Sequence, residues 1–146
     1  MSGSGLDHVA IAVKNLEASV RYYVDVLGFA EPQLEEVADQ QVRTAIFGHA
    51  TGRIELICPT SPDSPVGRFL EKRGEGLHHL CVEVPDIEAA LRDLNARGAQ
   101  LIDQTPRIGA GGARIAFIHP KGAHGVLTEL RQGPAHRVEV DFSTTK

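Results

Sequence analysis

A stretch near the start of this 146-residue chain is used a second time in its other half. Leu6-Asp7-His8-Val9-Ala10-Ile11-Ala12-Val13-Lys14-Asn15-Leu16-Glu17-Ala18-Ser19-Val20-Arg21 recurs as Leu77-His78-His79-Leu80-Cys81-Val82-Glu83-Val84-Pro85-Asp86-Ile87-Glu88-Ala89-Ala90-Leu91-Arg92, at a constant offset of 71 residues. Later in each copy an apolar run carries a Glu-Leu pair, in Arg53-Ile54-Glu55-Leu56-Ile57 and in Leu127-Thr128-Glu129-Leu130. A unit this short cannot bury its apolar face alone, so its two copies must share a sheet or a core. Each copy brings one histidine and one glutamate to matched positions.

Periodicity defines the unit. Residues 6–13 alternate in type, with Val9, Ile11 and Val13 on one face and Leu6, His8, Ala10 and Ala12 on the other, the pattern of a half-buried strand. Asn15 offers an N-cap, and Leu16, Val20, Tyr23 and Leu27 form a helical stripe that ends at Gly28. The second copy repeats these devices. Strand 77–84 places Leu80, Val82 and Val84 opposite Leu77, His79, Cys81 and Glu83. Asp86 then caps a helix carrying Ile87, Leu91 and Leu94. By the same alternation His78 points away from His79.

Extended runs are expected at 31–37, 42–48 and 53–58, and again at 100–104, 113–119 and 125–131. If Ile54 and Leu56 face the helix, Glu55 faces away from it. Glu129 follows by the same phase, so both glutamates share the helix-free face with both histidines. The expected fold is α+β, two tandem βαβββ modules forming an open, cupped mixed sheet around a metal site. The modules span 6–60 and 77–132. They are joined by a linking helix within 61–76, where Ser64 caps and Pro65 starts the first turn. Residues 1–5 read as a flexible start and 133–146 as a polar tail.

Composition narrows the function. A net charge of −4 argues against broad electrostatic binding to nucleic acid or an anionic membrane, which would need a basic face. No apolar run nears the ~20 residues of a membrane span, and no leader pattern is read at the N-terminus. Cys58 and Cys81 lie in apolar strand-like runs and read as free thiols of a reducing, cytoplasmic compartment.

A single histidine in a strand is more often a packing residue than a ligand, and a single glutamate more so. Four such groups at matched positions of a repeat, all on one face, reverse that balance. Two imidazoles and two carboxylates suit Co, Ni, Mn, Fe or Zn. On an open sheet they leave positions for substrate, as in a Lewis-acid catalyst, whereas a closed structural zinc site is the alternative.

The repeat resembles the vicinal-oxygen-chelate superfamily, which includes the glyoxalases, bleomycin resistance proteins and extradiol dioxygenases. The stretch from Ser64 to Leu130 is further similar to the methylmalonyl-CoA epimerases. It carries Ser64-Pro65-Val66-Gly67-Arg68-Phe69-Leu70, Gly74-Glu75-Gly76-Leu77-His78-His79, and Gly111-Gly112-Ala113-Arg114-Ile115-Ala116-Phe117-Ile118-His119-Pro120-Lys121 running on to Gly125-Val126-Leu127-Thr128-Glu129-Leu130. That resemblance implies a homodimeric enzyme interconverting (2R)- and (2S)-methylmalonyl-CoA by C2 proton abstraction through a metal-stabilised enediolate. His8, Glu55, His79 and Glu129 would hold a divalent ion, cobalt first, with nickel, manganese or zinc as alternatives. Glu129 and Glu55 would carry protons on the two faces of the intermediate.

Arg114, Lys121 and the Gly111-Gly112 turn are the candidates for contacting the acyl-CoA substrate. Several bacterial members place a glutamate, proposed as a base, where this chain has Thr44, and a threonine cannot take that role near neutral pH. Two rival activities share the superfamily: a glyoxalase I (lactoylglutathione lyase)-type isomerase, which uses a similar ligand set, and a resistance protein that binds without chemistry. An extradiol dioxygenase ordinarily uses three protein ligands, which Glu55 as a fourth disfavours.

Overall fold

A computed structural model describes residues 5–50 and 52–133. The expectations for residues 1–4 and 134–146 lie outside it. The first copy comprises β1 (Leu6–Ala12), α1 (Leu16–Arg21), β2 (Gln33–Val37), β3 (Val42–Phe47) and β4 (Arg53–Pro59). After the linking helix α2 (Pro65–Arg73), the second comprises β5 (Gly76–Glu83), α3 (Ile87–Ala96), β6 (Arg107–Ile108), β7 (Arg114–Ile118) and β8 (Thr128–Gln132). All eight strands form one mixed sheet in the order β2-β3-β4-β1-β5-β8-β7-β6. The repeat governs that order. β1 runs parallel to β4 as β5 does to β8, and the two halves join where β1 pairs antiparallel with β5.

Local chemistry sets the helix starts. The Asn15, Ser64 and Asp86 side chains accept from the N–H groups of Ala18, Gly67 and Ala89, satisfying donors that have no partner within the helix. α1 and α3 cover the outer face of the sheet. Leu16 and Val20 pack there with Val13, Ala45, Phe47 and Leu56, and Ile87 and Leu91 with Val84, Ala116 and Leu130.

Three expectations need correction. The helix after Asn15 continues beyond Arg21 as a π turn, Tyr22–Val26. The wider turn breaks the stripe: Tyr23 and Val24 reach the core, whereas Leu27 is 49% exposed. The run at 100–104 forms only an isolated bridge, Leu101 to Ile118. There the Asp103 carboxylate, rather than a backbone carbonyl, accepts from Phe117 N–H at 2.9 Å, and the regular ladder resumes only at β6. Finally, the inner face is free of α1 and α3 but not of α2. Val66 and Leu70 of α2 pack onto Ala10, Ala12, Val42 and Ile57, plugging one end of the cup. Each such buried aliphatic side chain contributes about 1.5–3 kcal/mol. Among the described residues no helix is long and apolar enough to cross a membrane.

Candidate metal centre

The four candidate ligands stand around a floor of two small residues. Across the sheet Ala10 lies between Glu55 on β4 and His79 on β5, and Cys81 lies between His8 on β1 and Glu129 on β8. Ala10 and Cys81 are fully buried and too short to fill the space above them. His8, Glu55, His79 and Glu129 are each 5–6% exposed and lean into that space. His8 Nε2 lies 2.8 Å from Glu55 Oε2 and 3.5 Å from Glu129 Oε1, and His79 Nε2 lies 3.9 Å from Glu129 Oε1. The imidazole rings meet edge to face at 5.5 Å.

Buried polar atoms ordinarily find partners. Here neither Nε2 has one in hydrogen-bond geometry, although carboxylate oxygens crowd both. Donor atoms of His8, His79 and Glu129 all lie within 4.8 Å of one another, the spacing of ligands about one ion. Glu55 approaches from the His8 side and stands outside that trio. The donor set and the two orphaned nitrogens fit a divalent cation.

The electrostatics agree. Burial works against charge on His8, but the neighbouring carboxylates of Asp7, Glu55 and Glu129 prevail and raise its pKa to about 10. Burial, helped by the neighbouring Glu55 charge, pushes Glu129 up to about 7, with His8 opposing. Burial, reinforced by His78 and His8, holds His79 well below the usual imidazole range. A cluster this rich in carboxylates, with protons retained on its ligands, is built to receive positive charge.

A second trio, Asp7, His8 and Cys81, has similar spacing but serves as support. Asp7 Oδ2 is already taken by His8 Nδ1 and Arg53 Nη2, each at 2.7 Å, and burial raises the pKa of the Cys81 thiol and keeps it protonated. His8, Glu55 and Glu129 open onto a cavity of about 710 Å³ whose wall also includes Glu35, Arg53, Gly111 and Ile115.

Comparison with known proteins follows the same lines. The sequence profile of the glyoxalase/bleomycin resistance protein/dioxygenase superfamily matches residues 7–117. A mitochondrial methylmalonyl-CoA epimerase of Dictyostelium discoideum is 41% identical over 87% of this chain and 77% of its own length. An ethylmalonyl-CoA/methylmalonyl-CoA epimerase of Cereibacter sphaeroides is 40% identical over 87% of this chain and 96% of its own. A solved methylmalonyl-CoA epimerase in complex with methylmalonyl-CoA and NH4+ superposes with a TM-score of 0.87 at 37% identity, covering 93% of this chain and 99% of that one. The chain belongs to the methylmalonyl-CoA epimerase family of this superfamily.

Not every candidate residue reaches the cavity. Gly111 does, and its N–H donates to both Glu35 carboxylate oxygens at 2.8 and 3.1 Å, tying a loop of the second copy to β2 of the first. Gly112 follows it in the same turn, outside the cavity wall. Arg114 is held by Glu88 of α3 on the outer face. Lys121 sits in an exposed turn whose N–H is taken by His119 Nδ1. Neither residue lines the cavity.

His78 departs from expectation the other way. β1 and β5 slip register there, with Ala10 opposite His79 and Ile11 opposite Leu77. That bulge breaks the alternation and brings His78 Nδ1 to 2.8 Å from His79 Nδ1. Burial lowers the His78 pKa to about 4, so it is neutral. Thr44 is buried beside Ile57, with Glu35 as its cross-strand neighbour on β2. Sequence reasoning missed Asp7, Arg53 and Glu35. For Asp7 a signal was available, a carboxylate directly before a ligand histidine.

Proposed function

We propose that the protein catalyses metal-dependent epimerisation at C2 of methylmalonyl-CoA. The observation that carries this reading is the placement of two carboxylates on opposite flanks of the two candidate ligand histidines. β4 and β8 border the β1-β5 pair on either side, so Glu55 and Glu129 face each other across the histidines. Inversion at carbon needs that arrangement, with one group taking a proton from one face of a planar intermediate and a second returning one to the other.

His8, His79 and Glu129, joined by Glu55, would hold the ion, for which cobalt is the first choice and nickel, manganese or zinc the alternatives. Bound there, a divalent ion would supply neutralisation of the negative charge that develops as C2 loses its proton. The residues do the rest. Glu129 exchanges the proton on one face. Glu55, outside the tightest trio, exchanges it on the other. The free Cys58 and Cys81 thiols fit a cytoplasmic setting, and the family likeness supports a homodimer.

Proton NMR in deuterium oxide tests the reading. Metal-loaded protein should exchange the C2 proton of methylmalonyl-CoA and interconvert its epimers, and a chelator should abolish both. Glu55→Gln should slow inversion at least tenfold while leaving exchange of one epimer largely intact. Inversion at the full rate would show that Glu55 carries no proton. Turnover of the glutathione hemithioacetal of methylglyoxal in place of methylmalonyl-CoA would shift the assignment to a glyoxalase I-type isomerase.

A further inference from the structure

The two copies treat their ligand histidines alike. In the first, the residue before the ligand meets its Nδ1: Asp7 Oδ2 lies 2.7 Å from His8 Nδ1. In the second, His78 Nδ1 lies 2.8 Å from His79 Nδ1. We propose that His78 is a positioning residue, a neutral acceptor that fixes the tautomer and orientation of His79 as Asp7 does for His8. The proposal rests on the metal-centre reading above.

Proton accounting gives the direction of that hydrogen bond. Of two facing Nδ1 atoms, one donates and the other accepts. His79 Nε2 has no hydrogen-bond partner and faces His8 and Glu129, so a ligand role needs its lone pair there and its proton on Nδ1. His78 Nδ1 therefore accepts and carries its own proton on Nε2. Such outer partners orient a ligand ring and raise its basicity.

The β5 bulge makes the contact possible, since a regular strand would send His78 to the opposite face. Phe69 of α2 then holds the His78 ring edge to face at 4.8 Å. This gives the linking helix a second task, bracing the centre through the chain Phe69, His78, His79. The choice of imidazole over carboxylate also has a physical reason. Asp7, Glu55 and Glu129 already bring three carboxylates around His8. A fourth at position 78 would overload a pocket that a single divalent ion must neutralise, whereas a neutral ring supplies the acceptor without the charge.

Two variants separate this role from simple packing. His78→Phe keeps a ring against Phe69 and removes the acceptor, whereas His78→Asn keeps an acceptor and loses the ring. Affinity for zinc, measured by competition with a chromophoric chelator, should fall tenfold to a hundredfold in His78→Phe. It should stay within about fivefold of the parent in His78→Asn, given that one acceptor is retained. Nitrogen-15 NMR of the zinc-loaded parent should show His79 protonated at Nδ1.

Parent-like affinity in His78→Phe, equal losses in the two variants, or an unprotonated His79 Nδ1 would each overturn the proposal while leaving the metal centre standing. Failure of the parent protein to bind zinc or cobalt at all would instead overturn both. An unprotonated His79 Nδ1 in the parent would overturn the proposal even if a variant does not fold.

Discussion

Asp7→Asn isolates the buried charge beneath the candidate metal centre. Asp7 is fully buried, and one of its oxygens takes both His8 Nδ1 and Arg53 Nη2 at 2.7 Å, with Arg131 Nη1 4.0 Å from the other. Asparagine preserves the volume and one acceptor oxygen, so packing barely changes. The charge is lost, and an NH2 group comes to face one of two cations.

Removing one partner of a buried ion pair costs roughly 3–5 kcal/mol. Arg131 keeps Glu83 at 2.8 Å and the Arg53 side chain keeps some contact with solvent, which places the expected loss near the lower end, about 3 kcal/mol. For a domain of this size that corresponds to a fall in Tm of roughly 6–12 °C. His8 also loses the carboxylate that orients it, so metal affinity should drop tenfold to a hundredfold. Urea unfolding of metal-depleted protein gives the first quantity and chelator competition the second. A stability change below about 1 kcal/mol with parent-like metal affinity would refute the assignment of Asp7 as the anchor of both His8 and Arg53.

Gly67→Ala should destabilise, although helix propensity alone favours alanine by about 1 kcal/mol. A Cβ there would meet the carbonyl oxygens of Pro62 and Ser61 at 2.5 and 2.6 Å, and relieving such overpacking costs roughly 1–3 kcal/mol, readable by thermal unfolding. His8 binds its proton more tightly folded, at about 10, than unfolded, at 6.5. Its contribution to the stability of metal-depleted protein is therefore full below pH 6.5 and is lost as pH rises towards 10. Urea unfolding with chelator at pH 7 and pH 9 should show a fall of up to about 2–3 kcal/mol, and a flat or rising profile would contradict the sign. Arg114→Ala, which breaks an exposed pair with Glu88 away from the cavity, should leave the rate constant for epimerisation within twofold, read by coupled assay.

The duplicated stretch was enough to place His8 and His79 on one face, to phase Glu55 and Glu129 onto that face, and to read two βαβββ units, because strand alternation is a local property of the chain. The same local logic failed at His78. A register slip between β1 and β5 depends on how two distant strands pair, and one extra residue in a strand reverses where a side chain points. It failed at Leu27 for a related reason, the π turn that realigns the end of the first helix. Partners remote in sequence were equally invisible. Arg53 reaches Asp7 only because β4 lies beside β1, and Arg114 turns to Glu88 only because α3 crosses the outer face there. Which residues could bind a metal was thus written along the chain. Which groups hold those residues in place was decided by strand pairing and helix docking, since only packing brings charges far apart in sequence within hydrogen-bond reach.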